Sequence, residues 1–150
     1  MSDPIEVIGM DHVYLAVRDM AVSARFYDAV LGTVLGFRKN EFALGGTPHV
    51  QYYNRQFGIV IRPARAGTPG HDSEAPGLHH LCLRVAEPAD VQRAAAALAA
   101  LGIEASAPRI YPEYAPDYWG TFFTDPDGLR LEVTNFREIR KKRMYRWDEL

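Results

Sequence analysis

Three residues in this chain carry the chemistry of a metal centre. His12 opens an alternating stretch, His12-Val13-Tyr14-Leu15-Ala16-Val17, and His80 opens another, His80-Leu81-Cys82-Leu83-Arg84-Val85. In both, apolar residues fill the first, third and fifth places after the histidine, so the imidazole falls on the strand face opposite the core side chains. Glu132 belongs to a third such stretch, in which Leu129, Leu131 and Val133 alternate with Arg130, Glu132 and Thr134. Two imidazoles and a carboxylate can bind a divalent ion with coordination positions left open, a donor set used by non-haem iron oxygenases and acceptable to zinc, manganese, cobalt or nickel. The three converge if the strands carrying them belong to sheets that curve toward each other. The competing reading is a pair of ordinary hydrogen-bonded histidines at strand starts. By alternation His79 should point away from His80, and it is not counted as a ligand.

Other residues could serve a substrate at such a centre. The stretch from Tyr111 to Gly120 is aromatic and stiffened by Pro112 and Pro116, which suits a loop at a cavity mouth; within it Tyr118 and Tyr114 are candidate catalytic proton donors. Arg84 and Arg130, and with them Arg62, are expected on the polar strand faces, where a guanidinium would bind a carboxylate or phosphate. Tyr14 shares the His12 face, and His49 and Gln51 share strand parity, so all three are candidate substrate contacts. Cys82 is expected as a buried structural thiol.

The elements that must position these residues come in two rounds. A strand at 11–18 is followed by Asp19 as an N-cap and by Met20, Phe26, Tyr27, Val30 and Leu31 at helical spacing, until the region from Gly32 to Gly36 stops the pattern. Short β-type runs follow from Phe37, at His49–Tyr53 and at Phe57–Pro63. After a Gly- and Pro-rich connection the order restarts at His80. Pro88 suits a first helical turn, and Val91, Ala94, Ala95, Leu98 and Leu101 form a stripe closed by Gly102. Strands are expected from Ile103, at Arg109–Tyr111, at Thr121–Thr124 and at Leu129–Phe136, the last two joined by the turn Asp125-Pro126-Asp127-Gly128. The predicted organisation is one α+β domain at 1–150: a βαβββ module at 8–64, a linker at 65–77, a second module at 78–136 and a basic extension at 137–150. Neither module alone is large enough for a stable core.

Bulk properties exclude several alternatives. With 150 residues, 47% hydrophobic and 24% charged, the chain can bury a core, and its formal charge of −2 provides no field for nucleic acid or an anionic membrane. The single cysteine excludes an internal disulfide and points to a cytoplasmic location. The first residues show no basic-then-apolar pattern, so no leader is expected, and no apolar run approaches bilayer length. Six of the seventeen basic residues lie at 137–147, expected as a solvated helix or subunit-contact extension rather than an anion site.

The segments Asp11-His12-Val13, Phe26-Tyr27 with Leu35-Gly36-Phe37, His80 to Val85, and Phe122-Phe123-Thr124-Asp125-Pro126-Asp127-Gly128 followed by Glu132 resemble the vicinal oxygen chelate superfamily, over roughly residues 8 to 136. That superfamily includes glyoxalase I, bleomycin-resistance proteins, fosfomycin-resistance enzymes, methylmalonyl-CoA epimerase and extradiol dioxygenases. The resemblance implies a glyoxalase/bleomycin resistance/dihydroxybiphenyl dioxygenase-like fold, in which two βαβββ modules form a curved mixed sheet around a central cavity. It also implies His12, His80 and Glu132 as metal ligands. A fourth ligand position, Glu or Gln in glyoxalase I and the epimerase, falls here on Val60 or Arg62, which brings the chain closer to the three-ligand dioxygenase and fosfomycin branches. The function so implied is a divalent-metal-dependent enzyme acting on a small molecule with vicinal oxygens, dioxygenase-like, with ferrous iron the favoured ion and zinc, manganese, nickel or cobalt as alternatives. A glyoxalase-like lyase or isomerase, or a metal-free ligand-binding protein of the bleomycin-resistance type, are the competing readings. The expected partner is a small-molecule substrate, with no nucleic acid and no membrane, in a monomer or homodimer.

Overall fold

The computed structural model describes residues 4–149. The chain divides into two compact units, Met1–Pro69 and Gly70–Leu150. In the first, strand β1 (His12–Val17) leads into helix α1 (Met20–Tyr27), which continues as a π-helical segment, Asp28–Val34, before β2 (Arg38–Leu44), β3 (Thr47–Tyr53) and β4 (Gly58–Pro63). Asp19 caps α1 as expected, its carboxylate accepting from the Val22 amide at 3.0 Å. The helical run widens into π geometry and closes within the expected Gly32–Gly36 region, where Gly36 takes a positive φ of 71° and the Phe37 amide reaches back to the Leu31 carbonyl at 2.8 Å.

The four strands form a mixed sheet in the order β1-β4-β3-β2, with β1 and β4 parallel and the other pairs antiparallel. Its core face carries Leu15, Val17, Ile59, Ile61, Val50 and Tyr52 against Tyr27, Val30 and Leu31, all buried. The opposite face carries the polar residues of the same strands, and that alternation places His12.

The second unit repeats this plan. Strand β5 (His80–Val85) precedes helix α2 (Pro88–Ala100), then β6 (Arg109–Ile110), β7 (Trp119–Thr124) and β8 (Arg130–Asn135), paired in the order β5-β8-β7-β6 with β5 and β8 parallel. The fold is thus α+β, with one βαβββ sheet in each unit. In α2 the Glu87 amide donates to the Asp90 carboxylate at 3.1 Å, Pro88 occupies the first turn, and Val91, Ala94, Ala95 and Leu98 are buried. Leu101, expected in that stripe, is exposed, because the chain leaves the helix there through Gly102 at φ 72°.

Strand β6 is shorter than expected. The stretch from Ile103 contributes only an isolated bridge from Ala105 to Phe123 and the two residues of β6, and Tyr111 lies beyond it in the loop. Pro108 and Pro112 bracket that pair without amide donors, so this edge is held partly by Ser106, whose hydroxyl oxygen accepts from the Phe122 amide at 3.0 Å. Beyond β8 come helix α3 (Glu138–Tyr145), with no buried residue, and a 3-10 turn at Trp147–Glu149. No helix among the described residues is long and apolar enough to cross a membrane.

Candidate functional site

Strand register decides which side chains share a face. In the first unit His12 pairs with Gly58, Tyr14 with Val60, Ala16 with Arg62, and Gln51 with Val60, so His12, Tyr14 and Gln51 lie on one face of the sheet. His49, two residues before Gln51, shares that face, as the expected parity requires. His12 Nδ1 is 2.5 Å from Asp11 Oδ2, and its ring meets Tyr14 edge to face at 5.2 Å. Tyr14 in turn contacts His49 at 5.8 Å, while His49, buried, stacks on Phe42 at 5.1 Å and binds the Thr47 carbonyl through Nδ1 at 2.9 Å. His49 therefore props the aromatic row, and Gln51 lies further along the same face.

In the second unit His80 pairs with Arg130 and Cys82 with Glu132. Glu132 is two positions along its strand from the partner of the histidine, and in the first unit the same place is held by Val60. The fourth position is therefore Val60 rather than Arg62, and a buried valine stands there.

His80 and Glu132 meet on the wall of a cavity of about 400 Å³, which Tyr114, Tyr118, Phe122 and Arg130 help to line. His80 Nε2 is 3.4 Å from Glu132 Oε2. Tyr118 donates its hydroxyl to Glu132 Oε1 at 2.5 Å. Burial first, and then this bond, raise the Tyr118 phenol above the ordinary tyrosine value, so it stays protonated and fixes the carboxylate. Gly120 leaves room for that carboxylate, because a Cβ there would stand 3.3 Å from Glu132 Oε1. Tyr114 is exposed, stacks on Tyr111 at 5.8 Å and meets Tyr118 at 5.2 Å. Arg130 Nη1 lies 3.9 Å from Glu74 Oε1.

The turn before β8 aims Glu132. The buried Asp125 carboxylate accepts from the Asp127 and Leu129 amides at 2.9 and 2.8 Å, and Gly128 takes φ 96° where a side chain would stand 3.0 Å from the His71 carbonyl. Glycine is thus required twice over at this position, by dihedral angle and by space.

His79 departs from the expectation. It does not point away from His80 but lines the same cavity, since it precedes the first paired residue of β5 and alternation does not bind it. His79 Nδ1 is 2.8 Å from His80 Nδ1, and His79 Nε2 is 3.3 Å from Glu74 Oε1. One proton assignment, inferred from the network, satisfies both contacts: His80 donates through Nδ1 to His79, and His79 donates through Nε2 to Glu74. His80 Nε2 then presents a lone pair to Glu132. Were His80 to ligate a divalent ion, replacing His79 with Ala should release its ring and lower the affinity by about 10- to 100-fold, as loss of an outer partner of a ligating imidazole does; metal titration against a chelating dye measures it.

Cys82 also departs from the expectation, being exposed rather than buried. Its sulfur nevertheless lies against Glu132 and Tyr118; withdrawal from water, then the Glu132 charge, push the thiol up to about 12, so it is held as the unreactive thiol. Arg84, on the same strand, opens onto a neighbouring cavity instead of the one beside His80.

The donor set fits a divalent ion. Glu132 is 2% exposed, and among the described residues its ion-pair partner is His80 alone, with no lysine or arginine. A neutral imidazole lone pair facing a buried carboxylate is repulsive unless a proton or a cation lies between them. His80 and Glu132 are the two expected ligands that the structure brings together. No three His, Cys, Asp or Glu side chains form a ready cage among the described residues, and His12 stands on the first unit.

The comparisons with known proteins agree with this plan. The chain is 33% identical over 131 residues to the uncharacterized protein YaeR of Escherichia coli K12, covering 81% of this chain and 92% of that one. A structure of a glyoxylase/bleomycin resistance protein/dioxygenase domain from Frankia sp. EAN1pec superposes with a TM-score of 0.73 at 26% identity, covering 88% of this chain and 100% of that one. A mutant fosfomycin resistance protein, FosX, from Listeria monocytogenes, complexed with Mn(II) and a dihydroxypropylphosphonic acid, shares the fold with a TM-score of 0.66 at 14% identity, covering 91% and 98%. Residues 9–133 match the family described as the Glyoxalase/Bleomycin resistance protein/Dioxygenase superfamily. With that match running from just before β1 into β8, and with both βαβββ units in place, the chain belongs to the glyoxalase/bleomycin resistance protein/dioxygenase superfamily.

Proposed function

We propose that this protein is a divalent-metal-dependent enzyme acting on a small molecule with two neighbouring oxygens. The observation that carries the reading is the buried Glu132 carboxylate, fixed by Tyr118 and faced at 3.4 Å by His80 Nε2, with no lysine or arginine paired to it among the described residues. His80 and Glu132 would hold the ion. His12 is the proposed third donor, its Nδ1 already engaged by Asp11 so that Nε2 is the nitrogen available for ligation. A divalent ion in this position supplies Lewis-acid stabilisation of negative charge developing on a substrate oxygen.

The chain's own residues do the rest. His79 and Glu74 hold the His80 ring in one tautomer, and Tyr118 keeps a proton on the Glu132 side of the cavity. Tyr114 and Phe122 provide apolar wall that limits water, and Arg130 stands at the rim as a cation for an acidic substrate group. Tyr14 and Gln51 are the proposed contacts on the first unit, with the buried His49 supporting Tyr14 from behind. A valine at the fourth position leaves a three-donor set, which favours dioxygenase-type over isomerase-type chemistry within the superfamily. The Mn(II) complex of FosX supports a divalent ion on this fold.

Metal analysis of protein purified with iron kept reduced and oxygen excluded tests the reading. We expect about one divalent ion per chain, ferrous iron for the dioxygenase branch, lost in His80→Ala. Zinc, nickel or cobalt would move the chemistry to the lyase or isomerase branch, and protein that cannot be loaded with any ion would leave a metal-free ligand-binding protein.

A further inference from the structure

The basic tail does not simply trail into solvent. Arg137 at the N-cap of α3, and Arg140 and Arg143 following at three-residue spacing along the helix, meet Arg84 of β5 around a cavity of about 550 Å³ in the second unit. Tyr114 and Tyr118 line this cavity as well as the one holding His80 and Glu132. The segment is anchored. Asp117 accepts from the Glu138 amide at 2.8 Å, the Arg84 guanidinium lies over the Phe136 ring at 4.1 Å and reaches Met144 Sδ at 3.7 Å, and Arg137 lies over the Tyr118 ring at 4.5 Å.

None of the four guanidinium groups has a carboxylate partner among the described residues. Of the acids in and beside this segment, Glu138 is engaged by Lys141 at 2.8 Å, Asp117 by the Glu138 amide, and Glu149 by Arg146. Four like charges around one cavity repel one another, and an entering anion removes that repulsion while accepting forked hydrogen bonds. An eight-residue helix with no buried residue is marginal by itself, so α3 contributes little to a core, and its arginines gain a purpose only from what they face.

We propose that this arginine-walled cavity is an oxyanion subsite, which takes the phosphoryl or paired-carboxylate end of a small-molecule ligand whose other end reaches past Tyr118 toward His80 and Glu132. Its place in substrate binding rests on the metal-dependent reading above; the binding of the anion does not.

Calorimetric titration of the full chain with inorganic phosphate, and separately with malonate, tests the subsite. The expected result is binding by at least one of the two that weakens as sodium chloride is raised, with the tighter probe identifying the anion class. Arg140→Gln combined with Arg143→Gln should weaken it about tenfold or more, while thermal unfolding shows the fold retained. His80→Ala, which removes the metal, should leave phosphate or malonate binding within about twofold, so a failure of the metal reading and a failure of the subsite are distinguishable. Bound anion should also slow amide exchange in α3. Absence of binding by either probe, or binding unchanged in the double variant, overturns the proposal. So does a single-stranded oligonucleotide that binds more tightly than both and is lost in that variant, which would make the face a nucleic-acid surface.

Discussion

Replacing Glu132 with glutamine should lower divalent-ion affinity by more than about 100-fold, beyond what loss of an outer-shell partner costs. Chelated protein should nevertheless keep its thermal midpoint within about 4 °C, the shift that ~1 kcal/mol produces in a chain of this size. The two halves follow from the same geometry. Glu132 is the anionic member of the proposed ligand pair, and an amide oxygen is a poorer ligand for every ion considered. Without metal, glutamine fills the same volume beside Gly120, its Oε1 still accepts from the Tyr118 hydroxyl, and its amide can donate to His80 Nε2 across a gap that is now 3.4 Å. A buried charge is exchanged for a neutral hydrogen-bonded pair, which costs the fold little. Competition with a chromogenic chelator and calorimetry of the chelated protein measure the two effects. Unaltered affinity would remove Glu132 from the ligand set; a collapse of the chelated protein would make its role structural.

The residues of that pair were legible in the sequence because strands alternate with period two, so a histidine or a glutamate out of phase with an apolar run must face away from the core. The Asp125-Pro126-Asp127-Gly128 turn was legible for an equally local reason: its aspartate binds the backbone two and four residues on. What escaped depends on long-range placement. His79 precedes the strand, so its direction is set by His80 and Glu74, although two adjacent histidines at a strand start with an acid five residues earlier are a signal that could have raised it. The choice between Val60 and Arg62 needed the pairing register of β1 with β4. The π-helical turn after α1 was invisible, since apolar spacing does not separate bonds of one span from the next. The basic spacing of the tail reads as a solvated segment, and α3 has no buried residue; its relation to Arg84, more than fifty positions earlier, is a property of the fold.

Stability should fall as pH rises past about 10, and Tyr52 should account for a large share of the loss. Tyr52 of β3 is fully buried, its hydroxyl 2.8 Å from Asp28 Oδ1 and 3.2 Å from the Ala24 carbonyl. Burial first, and then the bond to Asp28, raise the phenol well above its ordinary value of 10.0. The sign follows from linkage. Above pH 10 the unfolded chain releases this proton while the folded chain keeps it, so the unfolded state binds fewer protons and the slope of unfolding free energy with pH is negative. The contribution is intact below pH 10 and declines by about 1.4 kcal/mol per pH unit above it, roughly 2–3 kcal/mol by pH 12. Tyr118, half-buried and also raised, adds a smaller decrement in the same direction. Lys39, held above its ordinary value by Glu41 and Asp28, loses its charge in an overlapping range, so the tyrosine must be isolated by substitution. Tyr52→Phe should cost about 1 kcal/mol at pH 7, where a buried hydrogen bond is lost and Asp28 keeps Lys39 at 3.0 Å. Above pH 10 its stability should decline less steeply, so in urea unfolding the two curves meet at about pH 11 and the variant is the more stable by about pH 12. A decline as steep in the phenylalanine variant as in the parent would place the alkaline sensitivity elsewhere in the chain.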